Sequence, residues 1–409
     1  MPGLYRTRHG TLRKGFSRGL SLPDDDPCIG RSPVWSVRLE RCGACLMPTR
    51  ALTTRHAQDL ELFADRWAKA GLVLLVLLCL GFPFMAGNKW LVVGLQAQIA
   101  IVGSVSLMIL TGFAGQISMG HAAFIGIGAY TTAMLGEHHH FPFWLALPLA
   151  GLAAAAVGMM IGPFALRLRG LYLALITVGL VFIVKHMLYH QVAWTGGAKG
   201  MKVPAYLWFG GDAPKLSDYA KEPLDLGVVS LDSQQLMFFV FLLLAVAVVL
   251  CGVHIARSNT GRAMMAVRDH DLAASVLGIH PARTKVLAFG ISSFFAGVCG
   301  GMLALQLSYL MPDGFGLPMS VNYIAMIVLG GIGTIFGGVW GAIMFVVLHP
   351  VAEQLQPYVP YFSERTDTLF STVLFAVVVC IFLIFEPLGL FGFWLRIKRY
   401  FLAWPFRYG

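Results

Sequence analysis

The stretch GRAMMAVRDHDLAASVLGIHPARTK, residues 261–285, decides how this chain is read. It is a polar island with long apolar segments on both sides. An Asp, Lys or Arg at the centre of a membrane-spanning helix costs roughly 2.5–3.5 kcal/mol. The island carries Arg262, Arg268, Asp269, Asp271, Arg283 and Lys285, so it belongs between spans. Its pattern is too regular for a slack loop. Ala273 and Ala274, followed after three residues by Gly278, give a short helix a narrow face of small residues. Asp269 and Asp271 near its start complement the helix dipole, and Pro281 closes it. Small residues let a helix sink into a soluble partner's groove, while Arg262, Arg268, Arg283 and Lys285 are placed to meet acidic rims or lipid headgroups. Gly261, Arg262, Arg268, Asp271, Ala273, Ala274 and Gly278 are the candidate docking residues; the plain alternative is an ordinary basic loop.

Composition agrees with a membrane setting. Of 409 residues, 57% are hydrophobic and only 12% charged, where a soluble domain carries about 25%. Mean hydropathy is +0.73. The net charge of +10 is not a nucleic-acid signal, because the basic residues gather in particular inter-span loops, as the positive-inside rule requires. The 46 glycines suit closely packed membrane helices.

Apolar segments fall at about 71–87, 90–111, 121–137, 142–165, 171–189, 235–254, 286–309, 321–333, 336–350 and 368–387. The fold class expected is an all-α, polytopic helical membrane bundle of about ten segments with glycine-rich broken helices. Residues 1–70, with twelve Lys/Arg and seven Asp/Glu, read as a basic disordered tail. Within it, Leu60, Phe63 and Trp67 mark a surface helix over 56–70, and Met47 is a candidate start. A transmembrane domain spans 71–390, with a polar loop at 256–285 and an opposite loop at 190–234. A basic tail covers 391–409.

Charges test this count. Arg167, Arg169, the island and the basic C-terminus fall on one side only if residues 321–350 cross twice. Six glycines between 330 and 341 supply the break, since each weakens a helix by up to about 1 kcal/mol against Ala. One long tilted helix is the alternative. Residues Gly112 to His121 form an earlier uncharged, glycine-rich break. Such backbone is tolerated at membrane depth only inside protein or along a cavity. Paired breaks point to a transport pathway, with Gln116, Ser118, His121, Gly330, Gly331, Gly333 and Thr334 as candidate pathway residues.

Other features take bland readings. Cys42 and Cys45 form a lone CxxC; with Cys28 they lack a His at finger spacing, so no metal site is expected. His138, His139 and His140 precede Phe141-Pro142 and read as an exposed turn. Trp90, Trp144, Trp194 and Trp394 suit an aromatic belt. No paired acids, nucleophile elbow or HExxH motif lies in the spans, so no catalytic residue is expected.

The run Gly261-Arg262-Ala263, Ala266-Val267-Arg268-Asp269, Asp271-Leu272-Ala273-Ala274, Leu277-Gly278-Ile279 and Phe295-Ala296-Gly297 resembles the coupling-loop region of ABC permeases for branched-chain amino acids, most nearly their M-type subunits. Gly115-Gln116 to Ala129-Tyr130, Leu166 to Ala174, Thr195-Gly196-Gly197 to Gly200, and Val328 to Thr334 resemble further signatures of that family, in order over about 75–390. Two features depart from it. Val181 to Lys185 lacks the carboxylate that many relatives carry before the basic residue, and Ala198 stands where Pro or Ser is common.

The resemblance implies that the island is a coupling helix seated on an ATPase. It implies two ABC ATPase subunits, a second homologous permease subunit and an extracellular or periplasmic substrate-binding protein docking at loops such as 190–234. Membrane lipid surrounds the whole. The chain has no GxxxxGKS/T phosphate loop, so it is expected to carry no cofactor, with ATP bound by the partner subunits. The implied place is the bacterial inner membrane with both termini cytoplasmic. Branched-chain or similar small aliphatic amino acids are the implied cargo. Urea or short amides on the same scaffold remain an alternative, as does an ion-coupled secondary transporter. The near absence of ionisable residues within the spans argues against proton coupling.

Overall fold

The computed structural model describes residues 79–167, 171–207, 224–225 and 230–355, with isolated positions between 373 and 396. These belong to the unit Leu77–Gly409; the other unit, Met1–Val76, lies outside the described residues, as does most of the expected segment 368–387. The expectations for the tails at 1–70 and 391–409 and for residues 208–223 of the opposite loop fall outside them too, save a few positions after 390.

The described chain is helical: α1 Asn88–Leu107, α2 His121–His139, α3 Phe143–Arg167, α4 Leu171–His190, α5 Ser233–Arg257, α6 Asn259–Asp269, α7 Asp271–Val276, α8 Pro281–Leu307, α9 Leu317–Gly330 and α10 Ile335–Leu355. Strands are confined to two-residue ribbons, of which Met201–Lys202 pairs antiparallel with Tyr309–Leu310. Asn88–Phe113, Phe143–Phe164, Tyr172–His190, Ser233–Arg257 and Pro281–Leu307 are each long and apolar enough to cross a membrane. The α9–α10 pair qualifies as a broken span. The chain is a multi-pass helical membrane protein.

α2 is not among those spans. Glycine, His, Thr and Glu lower its hydropathy, yet residues from His121 to Gly136 are largely buried. It is wrapped by other helices, so protein rather than lipid satisfies its polar groups.

The core is built on α1 and α8, whose apolar windows are 67% and 72% buried, against 33% for α4 and α5. Small residues bring the backbones together. A Cβ on Gly300 of α8 would stand 2.8 Å from the Ala129 amide nitrogen of α2. One on Gly128 would stand 2.5 Å from Gly297 Cα. Polar clamps fasten the layers. Ser106 donates to the Ser292 carbonyl at 3.0 Å and Ser292 returns the bond to the Ser106 carbonyl at 2.8 Å. Ser104 of α1 donates to the Gly338 carbonyl of α10 at 3.0 Å. Buried hydroxyls in such positions hold helices together because no water competes.

Between α9 and α10 the axes turn by 117° at residues 331–334, so the region is two short helices and not one long tilted one. Gly331 and Gly333 take φ of 110° and 100°, which L side chains rarely adopt. The arms then close on each other: a Cβ on Gly330 would stand 2.6 Å from the Gly337 carbonyl carbon. Thr334 caps α10, its hydroxyl accepting from the Gly337 amide at 3.2 Å.

Candidate functional site

The polar island is helical. Ser258 caps α6, its hydroxyl accepting from the Gly261 amide at 3.2 Å. Gly261 is buried in the tight join to α5, where a Cβ would stand 2.9 Å from Ala256 Cα. Arg262 is exposed and donates to Asn259 Oδ1 at 2.6 Å. Met264 and Val267 turn inward and seat α6 on the bundle.

α7 follows after one extended residue, His270. It ends in a Schellman motif: the Gly278 amide bonds the Ser275 carbonyl at 3.1 Å and the Ile279 amide bonds the Ala274 carbonyl at 3.0 Å. Gly278 supplies the required left-handed residue at φ 83°. Asp271, in the first turn, pairs with Lys285 Nζ at 2.8 Å and ties α7 to α8.

The exposed face of α7 differs from the sequence expectation. Ala274 is buried against the bundle, whereas Leu272, Val276 and Leu277 are 80%, 86% and 78% exposed. Ala273 lies on the exposed side with them, and Gly278 has nothing within 4 Å of its Cβ direction. The knob is therefore apolar and bulky rather than merely small. Covering each of those three side chains is worth roughly 1.5–3 kcal/mol.

Two of the cations expected to face a partner bond within the chain instead, Lys285 largely covered and Arg268 still exposed. Arg268 Nη1 donates to the Gly112 carbonyl at 2.6 Å, and Arg268 Nε to Asp269 Oδ1 at 3.0 Å. Lys285 is occupied by Asp271, and its side chain is only 13% exposed. Helix-end carbonyls and a neighbouring carboxylate lie within reach on the same chain, so these charges find partners there.

The two glycine breaks come together at this end. The first leaves α1 through a π-helical turn, Met108–Phe113, and re-enters helix at His121. A Cβ on Gly112 would stand 3.1 Å from the Gly333 amide nitrogen, and that amide donates to Met108 Sδ at 3.2 Å. Gly389 brings a later segment onto the same turn, its Cβ direction 2.6 Å from the Gly331 nitrogen. Thus Gly330, Gly331, Gly333 and Thr334 sit beside the first break, at the α6–α7 end of the bundle.

The first break is held by its neighbours. Ser320 of α9 accepts from the Ala122 amide at 2.9 Å, and Thr177 of α4 accepts from the Met119 amide at 3.0 Å. Ser118 is buried and accepts from the Gly120 amide at 3.2 Å. His121 is buried and its Nε2 donates to the Gly103 carbonyl at 3.0 Å, with its ring edge-to-face on Tyr323. A carbonyl only accepts, so Nε2 carries the proton. His121 therefore fastens α2 to α1. Gln116 differs: it is 5% exposed and both side-chain amide atoms are without a partner among the described residues. It lines a cavity of about 540 Å³ bounded also by Leu173, Arg268, Asp271, Leu272 and Lys285.

At the opposite end, Lys185 Nζ pairs with Asp313 Oδ1 at 2.8 Å and Tyr189 donates to Asp313 Oδ2 at 2.6 Å. Asp313 lies in the Pro312–Phe315 turn. The hydrogen bond from Lys185, then that from Tyr189, holds the Asp313 carboxyl below its usual range. Trp144 and Trp194 are 52% and 59% exposed, and Trp144 donates to the Leu207 carbonyl at 3.1 Å. His140 ends α2 in a left-handed conformation.

The family model described as "Branched-chain amino acid transport system / permease component" matches residues 91–383, from within α1 to past α10. The chain belongs to that permease family. It is 33% identical over 296 residues to the high-affinity branched-chain amino acid transport system permease protein LivM of Escherichia coli K12, covering 71% of this chain and 70% of that protein. LivM of Salmonella typhimurium is 32% identical over 300 residues, with the same coverage. The autoinducer 2 import system permease protein LsrC of Enterobacter sp. is 32% identical over 217 residues, covering 50% of this chain and 56% of that protein. No solved structure matches the chain. The family resemblance read from the motifs is therefore right, and both the island and the two breaks lie inside the matched range.

Proposed function

We propose that this permease is half of the membrane pathway of an ATP-binding-cassette importer for branched-chain amino acids. In this reading it lies in a bacterial inner membrane with both termini and the α6–α7 end in the cytoplasm. Two ATPase subunits bind ATP and drive it, a second homologous permease subunit completes the pathway, and a substrate-binding protein delivers cargo at the opposite end. The observation that carries the reading is the apolar α7 knob, displayed where the two glycine breaks meet. An exposed Leu-Val-Leu surface on a short, doubly anchored helix within a polar island marks an interaction site. A cleft in a soluble ATPase fits it, and motion there reaches the broken helices directly. Cargo is supported by the relatives named for branched-chain amino acid transport.

The mechanism this supports is rigid-body switching. Closure of the ATPases displaces α7; the Asp271–Lys285 pair transfers that displacement to α8, which lies in the core. The test is uptake of radiolabelled leucine into proteoliposomes holding the complete complex. ATP-dependent accumulation that ignores a protonophore is expected. Accumulation that persists without ATP and collapses with the ion gradient overturns the proposal in favour of a secondary transporter.

A further inference from the structure

We propose that Arg268, although exposed, is the positioning residue that carries motion of α6–α7 to the junction of the two glycine breaks. This rests on the importer reading above. Arg268 occupies the last turn of α6, one residue before its end. Its guanidinium reaches out of that helix to the Gly112 carbonyl, at 2.6 Å. That carbonyl belongs to the π-helical turn, at the negative end of α1, where backbone acceptors lack partners. The charge-assisted bond is of the strong, short kind.

The stem of Arg268 is fitted as closely as its head. A Cβ on Gly115 would stand 2.5 Å from Arg268 Cγ, and Gly115 holds φ 66°. Only glycine leaves that path open. On the other side, a Cβ on Gly333 would stand 3.7 Å from Arg268 Nη1. Gly112 and Gly333 are in turn adjacent, and Met108 Sδ accepts from the Gly333 amide. One side chain therefore touches the first break directly and lies beside the second. Asp269 holds the Nε side of the guanidinium at 3.0 Å and fixes its plane. α6 is the element that joins the knob to α5, so a push on α7 moves the base of Arg268. The guanidinium then drags the turn that separates α1 from α2.

The consequence is separable from docking. The apolar knob Leu272, Val276 and Leu277 is left intact when the Arg268 head group is removed, so the ATPases still bind and hydrolyse. The test uses the complete complex in proteoliposomes with its substrate-binding protein. It reads complex yield, ATP hydrolysis and substrate uptake in parallel. Arg268→Met keeps the stem and deletes the donors. Yield and hydrolysis should hold while uptake per ATP falls severalfold. Arg268→Lys, with one donor axis on a long stem, should recover part of the ratio. Gly115→Ala should lower the ratio with Arg268 in place, by displacing its stem. Uptake per ATP unchanged in Arg268→Met overturns the proposal. So does loss of the ATPases from the complex, which makes Arg268 a docking contact, or a proportional fall of hydrolysis and uptake with reduced yield, which makes its role merely structural. If the unaltered complex shows no ATP-driven uptake, it is the importer reading that fails.

Discussion

Adding one methyl group at Gly300 should loosen the bundle, and adding the same group at Gly179 should tighten it. The Gly300 methyl would stand 2.8 Å from the Ala129 nitrogen and the Ile125 carbonyl carbon, with the Ile125 oxygen nearer still. A carbon against main-chain oxygen settles at about 3.3–3.6 Å. α8 and α2 must therefore part by more than half an ångström. A radial gap of about 0.5–1 Å forfeits a quarter to a half of each contact's dispersion energy. Overpacking of this sort costs about 1–3 kcal/mol, and the upper figure applies because backbone, unlike a flexible side chain, cannot swing aside. Gain of helix propensity returns about 1 kcal/mol. The net loss for Gly300→Ala is then about 2 kcal/mol, close to a 30-fold fall in the folded-to-unfolded ratio. Gly179 of α4 has nothing within 4 Å, so Gly179→Ala keeps only the gain of about 1 kcal/mol. Unfolding of the detergent-solubilised chain by SDS, followed by circular dichroism, measures both. Opposite signs are expected. Equal effects, or a stable Gly300→Ala, would refute the packing argument.

Further outcomes follow from other contacts. Gln116→Leu should raise stability by about 1–3 kcal/mol, because an unpaired buried amide is removed; a simultaneous drop in uptake in proteoliposomes would assign that amide to transport. Asp313 has its carboxyl pKa lowered by Lys185 and Tyr189, so its link is present above the ordinary value of 3.8 and lost only as pH falls through the lower folded value. Protection of the Pro312–Phe315 turn against hydrogen exchange, taken relative to the intrinsic rate at each pH, should accordingly hold from pH 8 to about 5 and be lower throughout in Asp313→Asn. Gly330→Ala should spread the α9–α10 turn, since its methyl would stand 2.6 Å from the Gly337 carbonyl carbon, and should lower uptake per molecule of folded complex as well as stability.

Much of this architecture was legible in the chain. The turn at 331–334 could be read because six glycines and the one-sidedness of basic residues both required a reversal there. The α1–α2 break could be read because uncharged backbone between two apolar segments has few other uses. The face of α7 was not legible. Six residues give fewer than two helical turns, too few for periodicity to say which side packs, so Ala274 was assigned outward and Leu272, Val276 and Leu277 went unremarked. The internal bonds of Arg268 and Lys285 were hidden for another reason. Their partners are the Gly112 carbonyl, which carries no sequence signal, and Asp271, which reads equally well as a helix-dipole charge. Nothing in the sequence ties Asp313 to Lys185 and Tyr189, more than a hundred positions away; the fold brings them together.

Where the α7 knob stands, and what covers it, decides whether ATPases can drive this protein. A Ser275→Cys variant, in a chain otherwise freed of cysteine, can be labelled with a membrane-impermeant maleimide in inverted and right-side-out vesicles. Ser275 is exposed on α7, so its thiol is reachable. Labelling in inverted vesicles alone, suppressed when the ATPase subunits are present, is the result expected. Labelling in right-side-out vesicles would place the knob on the far side of the membrane from any ATPase and contradict the account.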